Sequence, residues 1–330
     1  MTLSSESMHA RVRARSNIAL VKYWGKADSV LNTPAVGSIS ITLDDLWTDT
    51  EVRFDPSLTA DRFVLGGAER ADQLNRVSRC LDLVRAVAGK PLSAEIISDN
   101  NFPTAVGLAS SASGFAALVG AATAALNLDC SPRELSILAR RGSGSAARSI
   151  FGGFVEMHKG EAADGSDSFA EPLALAQAWP LKVLVAITVK EEKAVGSGAG
   201  MALSAKTSPY YANWLASHAA DLDTARDAIV EQDFEKLADV SEASCLKMHA
   251  AAMSTVPPLI YWTGATVDCI NRIRALRAEG VPVFFTIDAG PQVKAVCLPG
   301  VEDDVRSALE GVAGVRELIM TNLGPGLERR

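Results

Sequence analysis

The chain has 330 residues, 48% of them hydrophobic and 22% charged, with a net charge of −7. That length allows one large domain or two fused halves. The composition is that of a soluble globular protein, and the acidic balance argues against a nucleic-acid surface while still permitting local cations on an anionic substrate. The 5 cysteines are scattered without a C-x-x-C pair and the 4 histidines are dispersed, a pattern of free thiols in a reducing compartment instead of disulfides or protein-held zinc.

Residues 1–10 are polar and lack the apolar core of a secretory signal. Residues 11–21 predict a first strand that exits through Lys22-Tyr23-Trp24-Gly25-Lys26. Two lysines flanking two aromatics read either as snorkelling side chains at a strand end or as cations and a phenol set for an anion. Short alternating runs at 38–43, 50–54 and 62–65, punctuated by Asp and Gly, predict a meander. Residues 71–88 have helical periodicity and 92–98 read as a strand.

A loop then leads into an alanine-rich helix over 111–126. The surrounding stretch 105–128 is the only membrane-like one, and its serines and alanines predict a buried helix instead of a membrane span. The loop itself, Pro103-Thr104-Ala105-Val106-Gly107-Leu108-Ala109-Ser110-Ser111-Ala112, is small and glycine-bearing and opens a helix. It suits either a simple turn that caps a core helix or a phosphate cradle at a helix N-terminus. It lacks the Walker spacing.

Ser131, Pro132 and Glu134 write a helix start with an N-cap, a proline in the first turn and a capping box. That helix breaks at Gly142-Ser143-Gly144-Ser145-Ala146-Ala147-Arg148. A new helix after Ser145 would offer a second anion site. The formal match of Gly142, Gly144 and Ala147 to a dinucleotide fingerprint follows a helix instead of a strand and is rejected. Residues 154–157 begin a strand, and 181–189 predict a central buried one. Residues 209–280 are helical, and strands at 281–287 and 294–298 flank Asp288-Ala289-Gly290-Pro291. An acid at that place is a turn former or a catalytic carboxylate. A helix near 301–312 and a last strand complete an α+β protein of two lobes, 1–178 and 179–330.

The loop from Pro103 to Ala112 resembles the nucleotide-phosphate loop of the GHMP small-molecule kinases. Asn100-Asn101-Phe102-Pro103-Thr104 before it resembles one branch, the mevalonate diphosphate decarboxylases. The segment 17–26, the Gly-Ser-Gly-Ser-Ala turn and Thr286-Ile287-Asp288-Ala289-Gly290-Pro291 are similar to that branch too, in the same order along the chain. The resemblance implies a two-lobed GHMP fold, with a ribosomal-protein-S5-like N-terminal lobe, a ferredoxin-like C-terminal lobe and the active-site cleft between them.

It implies ATP on Pro103, Gly107, Leu108, Ala109, Ser110 and Ser111, with Mg²⁺ reached by Ser111 through the nucleotide. Tyr23, Lys26, Ser143, Gly144, Ser145 and Arg148 would bind substrate. Asp288, Lys22 and Arg148 would be catalytic, Arg148 as the clamp on the departing carboxylate. The implied reaction turns mevalonate 5-diphosphate into isopentenyl diphosphate, ADP, phosphate and CO₂ in isoprenoid biosynthesis, by a cytoplasmic homodimer without nucleic-acid or membrane partners.

Two departures from the family pattern bear on the substrate. Val36-Gly37-Ser38 stands where Asn-Ser-Ser is usual, and the segment 197–201 lacks an arginine that some bacterial members carry. These leave open a phosphomevalonate decarboxylase or a mevalonate 3-kinase type of enzyme. A catalytically inactive protein that binds nucleotide or isoprenoid precursors is the alternative from another class.

Overall fold

The computed structural model describes residues 8–102, 110–191 and 193–330. The chain runs β1 (His9–Val21), β2 (Lys26–Asp28), β3 (Thr33–Pro34), β4 (Ser38–Phe54), β5 (Arg62–Leu65), β6 (Ala68–Glu69), α1 (Ala71–Ala88), β7 (Ala94–Asn100), α2 (Ser110–Ala125) and α3 (Pro132–Gly142). A 3-10 helix (Gly144–Ile150) follows, then β8 (Phe154–Met157), β9 (Ala170–Ala174), β10 (Lys182–Ile187), α4 (Ser197–Thr207), α5 (Tyr211–Glu231), α6 (Phe234–Met253) and α7 (Gly264–Ala278). The chain ends with β11 (Val283–Thr286), β12 (Val293–Cys297), α8 (Glu302–Glu310), β13 (Glu317–Asn322) and β14 (Glu328–Arg329).

Two sheets organise the molecule. The first has strand order β14-β1-β4-β7-β5-β6, with β8 and β9 continuing beside the first part of β4. The second has order β11-β12-β10-β13 and is antiparallel throughout. With helices crossing between β10 and β11 and between β12 and β13, this is the β-α-β-β-α-β arrangement of a ferredoxin-like sheet. The prediction of a two-lobed α+β chain holds. The second sheet starts a few residues past Ala178, while β14 returns to pair with β1 in the first.

Alternation along the strands decides what each face covers. Val12, Ala14, Val52 and Phe54 pack under α1, α2 and α3 with Phe115 and Leu118. Ile18, Leu20, Ile39 and Ile41 turn instead toward Val183, Val185, Phe284 and Val296 of the second sheet and toward α5 and α6. One apolar core therefore joins the lobes and fixes the strand ends that meet between them. Leu184 and Ala186, pointing the other way from β10, pack on α7 and α8 with Ile273 and Val305.

The predicted meander differs from what forms. Two of its runs are one 17-residue strand, β4, and the third, β5, pairs parallel with β7. Asp44 and Asp45 look like a turn in sequence. Arg15 Nε donates to Asp44 Oδ1 at 2.9 Å and Thr321 Oγ1 accepts from the Asp45 amide at 3.0 Å, so the strand passes through with a register shift against β1. The capping box at Ser131 forms as read. The segment after Ser143 is a short 3-10 helix that begins at Gly144, ahead of the helix start expected after Ser145. No helix among the described residues is long and apolar enough to cross a membrane.

Candidate active site

The last residues of β1, Ile18 to Val21, are apolar and buried, and the next side chain, Lys22, enters the interior at 1% exposure. Its Nζ donates to the Ala19 carbonyl and to Asp288 Oδ1, both at 2.8 Å. Asp288 follows β11, and Thr286 Oγ1 on that strand donates to the same Ala19 carbonyl at 3.0 Å, tying the two strand ends together. From α6, His249 Nε2 donates to the Ile287 carbonyl at 3.2 Å and Cys245 Sγ accepts from the Ile287 amide at 3.3 Å.

Lys294 approaches from β12, 1% exposed, with Nζ 3.6 Å from Asp288 Oδ2. Burial alone would raise the proton affinity of Asp288. The cations of Lys22, Lys294 and Arg148 overcome it and hold the carboxyl far below the usual range.

Arg148 projects from the 3-10 helix and is buried, with no ion-pair partner among the described residues. Asn17 Oδ1 accepts from its Nε and Nη2 at 3.3 and 3.1 Å, and Ser38 Oγ accepts from Nη1 at 2.5 Å. Asn17 is itself locked by donating to Ser149 Oγ and the Ser145 carbonyl. Burial pushes the guanidinium down to about 10, only partly offset by Asp288 and Tyr23. A buried cation held by neutral groups is costly unless an anion arrives, and its planar fork fits a carboxylate.

A second cationic patch lies beyond Tyr23. The Tyr23 hydroxyl is buried without a hydrogen-bond partner among the described residues, and burial pushes it up to about 12, so it stays a donor. Gly144 lies flat against it, and Ser143 Oγ is 3.4 Å from Ser145 Oγ and 3.3 Å from Ser111 Oγ at the start of α2. Those three hydroxyls link the start of α2 to the Ser143–Ser145 turn. Lys26 sits at the exposed mouth, where desolvation and then the Arg76 cation lower its proton affinity. Arg76 is anchored on the Gly142 carbonyl at 3.0 Å, over the Phe115 ring.

The structure thus brings Lys22, Asp288 and Arg148 together, and places Tyr23, Lys26, Ser143, Gly144 and Ser145 around an adjoining patch. Ser110 and Ser111 begin α2; Pro103, Gly107, Leu108 and Ala109 lie outside the described residues. Three residues join that the sequence reading missed: Arg76, Lys193 and Lys294. Lys193 Nζ donates to the Ala289 carbonyl at 2.7 Å beside Asp288, and burial drives it down to about 8. A strand-exit lysine after β10, like Lys22 after β1, and a lysine inside an apolar strand were the available signals. Arg76 had none.

Both departures from the family pattern have packing neighbours, and Ser197 Oγ accepts from Lys193 Nζ at 2.8 Å. Val36 packs with Trp24 and Trp214. A side chain on Gly37 would meet Leu222 at 2.9 Å and the Met157 carbonyl at 3.0 Å. Residues 197–201 form the first turns of α4 instead of a loop, with Gly200 pressed on Tyr261 and Trp24. Among the described residues no group of three or more His, Cys, Asp or Glu could hold a metal ion. The serine hydroxyls at the start of α2 still fit Mg²⁺, which takes most of its ligands from phosphate oxygens and water.

One lobe that presents hydroxyls and cations from strand ends and a glycine-serine turn, and another that presents the carboxylate, is the arrangement of the GHMP small-molecule kinase fold. Residues 14–170 match the diphosphomevalonate decarboxylase-like N-terminal domain, and 183–325 the mevalonate 5-diphosphate decarboxylase C-terminal domain. The diphosphomevalonate decarboxylase of Candida albicans is 35% identical, over 96% of both chains. MDDEF in complex with MVAPP, AMPPCP and magnesium superposes with a TM-score of 0.91 at 41% identity, over 98% of both chains. Mevalonate diphosphate decarboxylase from Staphylococcus aureus gives 0.92 at 39%, with the same coverage. The chain belongs to the mevalonate diphosphate decarboxylase family.

Proposed function

We infer that the protein decarboxylates mevalonate 5-diphosphate in an ATP-dependent reaction, with Mg²⁺, giving isopentenyl diphosphate, ADP, phosphate and CO₂. One arrangement carries the residue roles: Asp288 lies between the ammoniums of Lys22 at 2.8 Å and Lys294 at 3.6 Å, and Arg148 is buried with no ion pair among the described residues. A kinase needs only the first.

Asp288 accepts a hydrogen bond from the C3 hydroxyl and aims its oxygen at the γ-phosphate. Lys22 steadies Asp288 and the charge that develops on the transferring phosphoryl group. Asp288 is a weak base in its cationic surroundings, so its contribution is chiefly orientation, with the proton moving late. Phosphorylation makes the C3 oxygen a good leaving group. As phosphate departs, the C–C bond to the carboxylate supplies the electron pair of the alkene and CO₂ is released. Arg148 holds that carboxylate in place.

Tyr23, Lys26, Ser143, Gly144 and Ser145 bind the diphosphate, and Arg76 adds a cation there. The loop from Pro103 to Ser111 takes the ATP phosphates. Ser111 would help hold Mg²⁺, which would neutralise phosphate charge there. The lobes divide at 1–178 and 179–330, and the active form is a cytoplasmic homodimer, which sedimentation of the purified protein tests.

Incubation with ATP and mevalonate, its 5-phosphate or its 5-diphosphate, measuring ADP and CO₂, tests the reaction. Equal ADP and CO₂ are expected, with kcat/KM for the diphosphate about a hundredfold above the monophosphate, the worth of two lost charge-assisted bonds. ADP without CO₂ would sink the decarboxylase assignment. A narrower check is Gly144→Ala, whose added Cβ would stand 2.5 Å from the Tyr23 hydroxyl. Displacing that ring is expected to raise KM for the diphosphate substrate roughly tenfold with kcat little changed. An unchanged KM removes Tyr23 from the substrate site.

A further inference from the structure

Lysine inside a central strand is unusual, because an ammonium carried into an apolar layer loses its hydration. Lys294 is such a residue. It lies in the second position of β12, is 1% exposed, and is flanked in sequence by Val293, Ala295, Val296 and Cys297, all fully buried. β12 pairs with β11 on one side and β10 on the other, so Lys294 stands on an interior strand of the sheet. A fold that needed only packing would place Leu or Met there, at lower cost.

The position tells what the charge does. β11 and β12 are joined by the turn that carries Asp288, and Thr286 pairs with Lys294 across the hairpin. Lys22 takes Asp288 Oδ1 at 2.8 Å from the first lobe, and Lys294 faces Oδ2 at 3.6 Å from the second. With one cation on each oxygen, rotation of the carboxylate about χ2 is opposed from both sides. Lys22 alone would leave that torsion soft, since such torsions have broad minima.

We propose that Lys294 is a positioning residue for the reaction, a second buried cation that fixes the orientation of Asp288 toward the C3 hydroxyl. The proposal rests on the reading of Asp288 given above. The charged and titratable groups that face Asp288 are Lys22 from β1, Lys294 from β12, Arg148 from the 3-10 helix, Lys193 from the segment after β10, and Cys245 and His249 from α6. Burial pushes His249 down to about 3 and Cys245 up to about 11, so neither changes charge at neutral pH. The balance on Asp288 is set by the lysines and the arginine. Removing Lys294 leaves Lys22 in place, which lowers the field without abolishing the pair.

The sign follows from that balance. A cation beside a carboxylate lowers its pKa, so its loss raises the pKa and moves any activity that needs the ionised form to higher pH. An opposite charge at this range is worth about one to three pKa units.

The test is steady-state turnover of mevalonate 5-diphosphate with ATP and Mg²⁺ across pH for Lys294→Met, Lys294→Arg and Asp288→Asn, each checked by its melting temperature. For Lys294→Met we expect kcat to fall about tenfold or more at neutral pH, with both KM values within about threefold of native. Asp288 starts far below the usual carboxylate range, so its own titration stays below the working pH range and the loss of kcat should be similar across neutral pH. Lys294→Arg should recover part of kcat. If Lys294→Met does not fold, Lys294→Gln takes its place in the same comparison.

A native kcat in the neutral variant, with Asp288→Asn inactive, overturns the role of Lys294 alone. A fall in kcat that Arg does not relieve, or one matched by an equally large rise in KM, makes Lys294 a packing residue and also overturns it. An active Asp288→Asn overturns the reading of Asp288 instead.

Discussion

Asp288→Asn will lower kcat by about a thousandfold or more while ATP affinity stays within about threefold of native. Asparagine keeps the size and one acceptor oxygen, so packing around Ile287 and Ala289 survives. What disappears is the negative charge between Lys22 and Lys294. The amide also offers N–H groups where only acceptors are wanted, so one lysine loses its acceptor. The C3 hydroxyl then has no anion toward which to point its proton, and orientation is most of what a phosphoryl-transfer site supplies.

A stability cost accompanies the kinetic one. Removing one member of a buried ion pair leaves an uncompensated cation, at about 3–5 kcal/mol, reduced here because Asp288 is partly open to the cleft. The variant should therefore melt several degrees lower yet bind nucleotide. Turnover within about tenfold of native would remove Asp288 from the chemistry.

The local signals in the sequence carried much of the fold. Residues 71–88 are helical as read, Ser131 caps its helix through Glu134, and the β-branched run around Val183 is the central strand of its sheet. Chemistry at strand exits was legible as well, because lysines and an acid after apolar runs are placed at the ends of strands by the alternation itself. The remaining misses are contacts between distant segments.

Arg76 reaches the Gly142 carbonyl from a different helix and has an ordinary amphipathic position in α1. Asp44 and Asp45 read as a turn because their partners, Arg15 and Thr321, lie far away in the chain. Lys294 was assigned to a strand without the further question of why a charge should stand inside one. At the two atypical positions, Val36 and Gly37, the sequence could not show the packing: Val36 clusters with Trp24, and a side chain on Gly37 would meet Leu222.

The remaining large effect belongs to Arg148, and two substitutions separate its charge from its shape. Arg148→Ala is expected to lower kcat/KM for mevalonate 5-diphosphate by about a hundredfold to a thousandfold, through a higher KM and a lower kcat together. Part of that loss is structural. Asn17 Oδ1 and Ser38 Oγ each lose a donor inside the core, which costs about 1–3 kcal/mol per group left unsatisfied and lowers the melting temperature.

Arg148→Lys keeps the cation and reaches part of the way, but an ammonium is a point charge that cannot span Asn17, Ser38 and a carboxylate in one plane. If the fork matters, the lysine variant should retain most of the stability and still lose roughly tenfold or more in kcat/KM. ADP and CO₂ should decline in parallel in both variants. The carboxylate is gripped when substrate binds, so a weakened clamp misplaces the C3 hydroxyl before any phosphate is transferred. Native kinetics in both variants would put the carboxylate against another cation of this pocket, and Lys193, pushed down to about 8 by burial beside Ala289, is then the residue to replace.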